Sequence, residues 1–115
     1  MTARVPDLAL TSPPLYGDLR ALADHLLPLD RGDRFSAGMR IIRRAEAAQQ
    51  HRRSTGRAHP EYGNGSIMGA VTRAAGGHPA AGDLRDAEYC NAVLVAAGCL
   101  ECLARSGRLS AENAA

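Results

Sequence analysis

The stretch DRGDRFSAGMRIIRRAEAAQ, from Asp30 to Gln49, has the clearest periodicity in the chain. Within this stretch, apolar and small residues and one glutamine recur at steps of three and four. This is the spacing of residues on one face of an α-helix. These residues are Phe35, Gly38, Met39, Ile42, Ala45 and Gln49. Asp30 is placed to cap the helix, and Asp33 puts a second carboxylate near the positive end of its dipole. The stretch therefore predicts a long helix, with arginines largely on the face opposite its apolar stripe.

A glycine-rich loop, called the elbow and spanning residues 57–66, follows this helix. Gly56 stands where a left-handed residue commonly ends a helix. Pro60 favours an extended or turn-like step before it, and the Gly-Asn-Gly at residues 63–65 tolerates positive φ. Ser66 is a good N-cap for the next helix. The elbow is thus predicted to connect two helices.

The composition of the elbow predicts an anion-binding site. Unpaired N–H groups of a glycine-rich turn and the positive end of a helix dipole attract phosphate and carboxylate groups. The predicted site comprises Arg52, Arg53, Arg57, His59, Gly63, Asn64, Gly65 and Ser66. The simpler alternative is a tight connection to a capped helix, beside a solvated basic helix end.

Two segments, TGRAHP at residues 55–60 and GNGSIM at residues 63–68, carry a resemblance to known proteins. They resemble a segment of a family of short, uncharacterised, alanine- and arginine-rich proteins from alphaproteobacteria. The resemblance covers about residues 40–75. It implies kinship, and it attaches no activity, substrate or catalytic residue to this chain.

Further periodic segments make the predicted fold an all-α bundle of about four helices. One short helix is capped by Asp18 and stops at Pro28, and another runs from Ile67 to Ala75, burying Ile67, Met68 and Val71. No segment alternates in the manner of a β-strand. The predicted organisation is a single domain over residues 1–107, with an irregular arm over residues 1–15, and a disordered tail over residues 108–115.

The last predicted helix begins at Asp83 or Asp86 and is closed by Gly107. Its predicted inward residues are Tyr89, Val93, Ala96, Leu100 and Leu103. Cys99 and Cys102 form a Cys-x-x-Cys within it, but a structural zinc site needs four ligands. We interpret these cysteines as small buried thiols and predict no metal and no cofactor.

The composition of the chain indicates its cellular environment and the size of its core. The odd number of cysteines, three, and the lack of an apolar leader indicate a reduced, cytoplasmic environment, and no apolar run is expected to approach the length of a membrane span. Alanine dominates the apolar residues, with one phenylalanine and no tryptophan. Because small side chains bury little area, a homodimer interface would add to a modest core.

All 14 strongly basic residues are arginines, and the net charge is only +2. Residues 40–57 nevertheless hold six arginines and a single carboxylate, Glu46. A local field of this kind can steer an anionic partner. The leading hypothesis is a non-enzymatic interaction module for an acidic protein or a phosphate-bearing ligand.

Two alternative functions stay open. A small nucleic-acid-binding protein would contact backbone phosphates through Arg40, Arg43, Arg44, Arg52, Arg53 and Arg57. An enzyme would use His59, Arg57 and Glu61, although no second carboxylate or nucleophile can be placed beside them from the sequence. No catalytic residue is therefore assigned.

Overall fold

The computed structural model describes residues 14–75 and 82–114, which form four α-helices and no β-strand. The helices are α1 (Tyr16–Leu26), α2 (Arg31–Thr55), α3 (Ile67–Ala75) and α4 (Ala87–Ala114). The predicted all-α bundle is confirmed. The predicted arm at residues 1–15 lies almost entirely outside the described residues, and the division into a domain and a tail stays a prediction.

The two helices α1 and α2 form the centre of the bundle. Each contacts the other as well as α3 and α4, whereas α3 and α4 do not contact each other within the described residues. The largest fully buried side chains are Leu22, Leu26, Ile41, Ile42, Ile67, Val71 and Cys99. At Gly38 the helices α2 and α4 approach so closely that an added Cβ would lie 2.6 Å from the Cys99 Sγ. Small residues thus set the packing distance in this core.

The buried face of α2 differs in part from the predicted one. Gly38, Ile42, Ala45 and Gln49 are buried as predicted, but Phe35 is 49% exposed and Met39 is only partly buried. The prediction missed the buried residues Arg34, Ala37, Ile41 and Ala48. Because α2 packs against three other helices, its buried stripe is wider than a single face and is turned towards Ala37 and Ile41.

Two predicted N-caps are wrong in detail. Asp30 occupies the N-cap position of α2, but its side chain makes no capping hydrogen bond. Asp18 lies in the first turn of α1, where its Oδ2 accepts a hydrogen bond from the Leu15 N–H at 2.9 Å. A carboxylate at this position still favours the positive end of the helix dipole, so the predicted electrostatic role holds while the position shifts.

The last helix extends further than its sequence indicates. Asp86 precedes α4 and accepts a hydrogen bond from the Glu88 N–H at 3.0 Å, which settles the choice between the two predicted caps. The helix then continues through Gly107 to Ala114, so the predicted end at Gly107 is wrong. Glycine is only mildly unfavourable inside a helix, by about 1 kcal/mol relative to alanine, and does not end one by itself.

The apolar character of α4 corrects another expectation. Its segment Ala87–Ser106 is long and apolar enough to cross a membrane by length and composition, with a mean hydropathy of 1.3. The expectation that no apolar run approaches that length is therefore wrong. The inner side of this segment supplies Tyr89, Ala92, Ala96 and Cys99 to the core.

A buried arginine joins three of the helices. The side chain of Arg34 on α2 is 3% exposed, and its guanidinium donates to the carbonyl oxygens of Leu26, Leu27 and Leu29 at 2.8 to 3.1 Å. The last carbonyls of a helix have no partner within that helix, so Arg34 serves as the cap of α1. It also donates to the Asn91 Oδ1 at 2.7 Å, which binds α4 to the same corner.

Candidate functional site at the elbow

The elbow closes on itself through backbone hydrogen bonds. His59 and Gly63 form an isolated antiparallel bridge, with N···O distances of 2.8 and 3.0 Å. The His59 Nδ1 accepts hydrogen bonds from the N–H groups of Glu61 and Tyr62 at 3.0 and 3.1 Å. Nδ1 is therefore the accepting nitrogen of this ring. The imidazole therefore holds the turn together through Nδ1, and only Nε2 is left for a contact outside the turn.

Two glycines place the elbow against the neighbouring helices. Gly63 has φ of 92°, and a Cβ added there would lie 3.2 Å from the backbone of Gly69 in α3. Gly65 has φ of 100°, and a Cβ there would lie 3.2 Å from the Gln49 Cα in α2. Both positions combine positive φ with close backbone contact, which only glycine accepts without strain.

Three amides around the start of α3, those of Ser66, Met68 and Gly69, are paired within the chain. The Asn64 Oδ1 accepts from the N–H and the Oγ–H of Ser66, whose Oγ accepts from the Gly69 N–H at 2.9 Å. The Met68 N–H donates to the Asp18 Oδ1 on α1 at 3.0 Å. Ser66 is thus the N-cap of α3, as predicted, and the amides of Ser66, Met68 and Gly69 are not among the unpaired N–H groups that the sequence led us to expect. The negatively charged group at the N-terminal end of α3 is the carboxylate of Asp18.

A stack of rings fastens the elbow to α2. The Tyr62 and His59 rings are parallel within 8°, with centroids 4.5 Å apart. His51 on α2 meets His59 edge-on at 5.0 Å, and the Arg44 Cζ lies 5.5 Å from the centroid of Tyr62. A guanidinium over an aromatic face is attractive, by about 0.5 to 2 kcal/mol. These four side chains fix the elbow along the last turns of α2.

The predicted arginines have different surroundings. Arg52 donates to the Asn64 carbonyl oxygen at 3.2 Å, and Arg73 of α3 donates to the Pro60 carbonyl oxygen. Arg53 and Arg57 are exposed at the end of α2 and the start of the elbow. Arg40 and Arg43 are exposed further back along α2, while Arg44 turns to Tyr62. The six arginines of the nucleic-acid hypothesis therefore do not form one uninterrupted face.

The positive field of α2 reaches α1. Burial lowers the pKa of His25, and the nearby guanidiniums of Arg44 and Arg40 lower it further. Burial raises the pKa of Glu46, against the opposing effect of Arg43. At the cysteines, burial and the neighbouring Cys102 raise the pKa of Cys99 to about 11, so this thiol is protonated and chemically quiet at neutral pH.

A cleft lies between α1 and the start of α4. It has a volume of about 650 Å³ and is lined by Tyr16, Leu19, Arg20, Leu84, Tyr89 and Val93, among others. Burial raises the pKa of Tyr89, as does its hydrogen bond with Asp24. The Asp24 Oδ1 also accepts from the Gly82 N–H at 2.9 Å. The sequence did not predict the contact between Tyr89 and Asp24.

A family model described as Domain of unknown function (DUF7742) matches residues 12–103. The chain belongs to this family. The DUF7742 match includes α1, α2, the elbow, α3 and α4 as far as Leu103, so both the Arg34 corner and the elbow lie within it. Searches of the curated proteins and of the solved structures found no match. Membership of this family establishes kinship only, so the function of the chain has to be inferred from its own residues.

Sequence interpretation missed two contacts that shape the DUF7742 elbow. Tyr62 stands two residues after Pro60 and directly before Gly63, and an aromatic residue in such a turn can signal an anchor to a helix. The bond between Asp18 and Met68 joins residues 50 positions apart, and no local pattern indicates it.

Substituting the elbow glycines tests the contact with α2. Gly65→Ala should lower the free energy of unfolding by roughly 2 to 4 kcal/mol, because it adds overpacking to the strain of positive φ. Gly56→Ala is the matched control: φ is 74°, but no atom lies within 4 Å of the added Cβ, so its cost should be about 1 to 2 kcal/mol. Urea unfolding of both variants measures the difference. Equal costs would contradict close packing at Gly65.

His25 predicts an acid-dependent loss of stability. Its pKa is lowered in the folded state relative to the ordinary value of 6.5, so below that value the unfolded chain binds more protons. Its contribution to stability is complete above pH 6.5 and falls as the pH drops through the folded pKa. Urea unfolding between about pH 7.5 and 5 should therefore show a steeper loss for the native chain than for His25→Gln. Arg40→Gln should lie between them, and identical slopes for all three would refute the prediction.

Proposed function

We propose that this chain is a non-catalytic interaction domain that binds an acidic segment of a partner protein through Arg40, Arg43 and Arg57. The main support is a contrast between two sets of exposed arginines. Arg31, Arg85 and Arg105 each pair with a carboxylate of the chain, at 2.6, 2.6 and 3.0 Å. Within residues 14–75 and 82–114, none of the ion pairs includes Arg40, Arg43 or Arg57. Apart from the electrostatic interaction of Arg43 with Glu46, their charge is available to a partner.

The geometry favours an extended partner over a compact ligand. From Arg40 to the end of α2 the helix rises about 23 Å, so the three exposed arginines are spread over the length of α2 and the start of the elbow. Three of the amides that could have enclosed a single phosphate, those of Ser66, Met68 and Gly69, donate to Asn64, Asp18 and Ser66 instead. Separated cations match the carboxylates of an extended acidic segment better than a single compact anion.

The nucleic-acid alternative has less support. Arg44 and Arg52 contact Tyr62 and the Asn64 carbonyl, which leaves fewer guanidinium groups for phosphates along one face. Few phosphate contacts would give weak binding with a shallow salt dependence, of roughly 0.9 per contact in the logarithmic slope. A phosphate-bearing ligand at the eight predicted elbow residues also stays a prediction, as does the alphaproteobacterial origin.

Two triple variants with the same change in net charge test the proposal. Arg40→Gln/Arg43→Gln/Arg57→Gln removes the proposed surface. The control, Arg31→Gln/Arg85→Gln/Arg105→Gln, removes arginines that are already paired. The probes are a fluorescein-labelled decaglutamate peptide and a labelled DNA duplex, followed by fluorescence anisotropy at about 50 mM salt, where screening is moderate.

We expect the first triple variant to bind decaglutamate at least about tenfold more weakly, since each lost contact contributes roughly 0.5 to 1 kcal/mol. The control should bind within about threefold of the native chain. An equal loss in both variants would reduce the interaction to net charge and contradict the proposed surface. Tighter binding of the duplex, lost only in the first variant, would replace the proposal with nucleic-acid binding. No binding of either probe would overturn it.

A further inference from the structure

The cleft between α1 and the start of α4 lies between one face of each helix. Tyr16, Leu19 and Arg20 stand three and four residues apart on α1, and Tyr89 and Val93 stand four residues apart on α4. These spacings place each set on a single face of its helix. The volume of the cleft, about 650 Å³, lies within the range of sites that hold small molecules, roughly 300 to 1,000 Å³. The cleft therefore has the size of a ligand site.

Apolar side chains supply most of the lining of the cleft. Leu19 and Val93 are partly buried, whereas Tyr16 is 90% exposed and Leu84 is 67% exposed, so the last two lie at its mouth. Single apolar side chains scattered over a surface are ordinary, but exposed ones that meet at a concave site are typical of ligand binding. A small apolar molecule in the cleft would cover both Tyr16 and Leu84.

A chain of hydrogen bonds holds the polar groups of the cleft in place. Asp24 is only 8% exposed and accepts hydrogen bonds from the Gly82 N–H, at 2.9 Å, and from the Tyr89 hydroxyl. The Tyr89 oxygen in turn accepts a hydrogen bond from the Arg20 side chain. A guanidinium group has five N–H donors, so Arg20 keeps donors for a ligand after it has bonded to Tyr89.

The charge that the cleft offers to a ligand is positive. The Asp83 carboxylate, which also lines the cleft, is paired with Arg85 at 2.6 Å. Asp24 is buried and already accepts two hydrogen bonds. In the part of the chain that the structure describes, no ion pair includes Arg20. A carboxylate on the ligand would supply the partner that Arg20 lacks.

We propose that this cleft binds a small apolar molecule that carries one carboxylate, such as an aryl-substituted short-chain acid. The carboxylate accepts hydrogen bonds from Arg20, and the apolar part of the molecule lies against Leu19, Leu84 and Val93. A guanidinium and a carboxylate form paired, charge-assisted hydrogen bonds, which orient the ligand in the cleft. The site uses none of the arginines of α2 or the elbow, so this proposal does not depend on the proposed function.

The exposure of the mouth determines the expected affinity. A cleft that is open on one side covers only part of its ligand. A molecule of about twelve non-hydrogen atoms should therefore bind with a dissociation constant on the order of 1 mM. Affinities in this range are measurable by NMR titration.

Two probes with the same ring and alkyl chain but opposite charges, 4-phenylbutyrate and 4-phenylbutylamine, test the proposal. Each is titrated into the ¹⁵N-labelled full chain, and the amide signals of Gly82 and Val93 report on the cleft. The acid should bind at least about tenfold more tightly than the amine, because Arg20 attracts the carboxylate and repels the ammonium group.

A charge variant and its control test the role of Arg20. Arg20→Gln should weaken binding of 4-phenylbutyrate about fivefold and bring its affinity close to that of the amine. Arg105→Gln removes the same charge from an exposed pair with Glu101, well beyond the cleft on α4, and should bind the acid as the native chain does. Circular dichroism checks that both variants fold, as the exposure of the two arginines leads us to expect.

A second pair of variants tests the apolar wall. Leu84→Ala should weaken binding of both probes about threefold, because it removes apolar surface at the mouth of the cleft. Leu94→Ala is the matched control, since Leu94 is 72% exposed but does not line the cleft, and it should change neither affinity.

Four results would overturn the proposal. The first is an amine that binds as tightly as the acid, since a carboxylate of the chain would then select the ligand. The second is an equal loss in Arg20→Gln and Arg105→Gln, which would reduce the preference to net charge. The third is the absence of any shift at Gly82 and Val93 with about 10 mM acid, well above the expected dissociation constant. The fourth is a shift at these amides that follows the protein concentration and not the probe, which would make a second copy of the chain the occupant.

Discussion

Where α1 ends at Leu26, its last carbonyl groups need hydrogen-bond donors that the helix cannot supply. Arg34 supplies them from one turn inside α2, and the same guanidinium reaches Asn91 and Glu88 on α4. A buried charge without these partners would be strongly unfavourable, by several kcal/mol. The contacts of Arg34 therefore hold the three helices in this arrangement, because separating them would leave both the carbonyl groups and the cation without partners.

The orientation of α2 follows from this corner. With Arg34, Ile41 and Ala45 turned into the core, Arg40 and Arg43 face solvent. The elbow then has to fold back along the end of α2, where Gly65 contacts Gln49 and Tyr62 lies below Arg44. Several amides of the elbow and of the start of α3 are paired within the chain, and the Met68 N–H at the start of α3 is paired with Asp18. The exposed guanidinium groups of Arg40 and Arg43 are a separate consequence of the way α2 is oriented.

Local signals in the sequence predicted the helix boundaries around the elbow well. Gly56 ends α2 in the left-handed conformation and Ser66 caps α3, because each role depends on one residue and its immediate neighbours. Contacts between distant segments were not predictable in this way. The periodicity of α2 predicted a buried stripe but not its width, so Phe35 was wrongly placed inside and the burial of Arg34 was not predicted. The pairing of Asp18 with Met68 left no local trace at all.

Hydrogen exchange at the arginine side chains measures the Arg34 corner directly. In ¹⁵N-resolved NMR spectra, the Arg34 Nε–H should exchange with solvent at least about a thousandfold more slowly than the Nε–H groups of Arg40 and Arg43, because it is released only by opening of the helix corner. Its rate should follow the exchange of the core amides of α1 when urea is added. An Arg34 Nε–H that exchanges as fast as those of Arg40 and Arg43 would contradict the account.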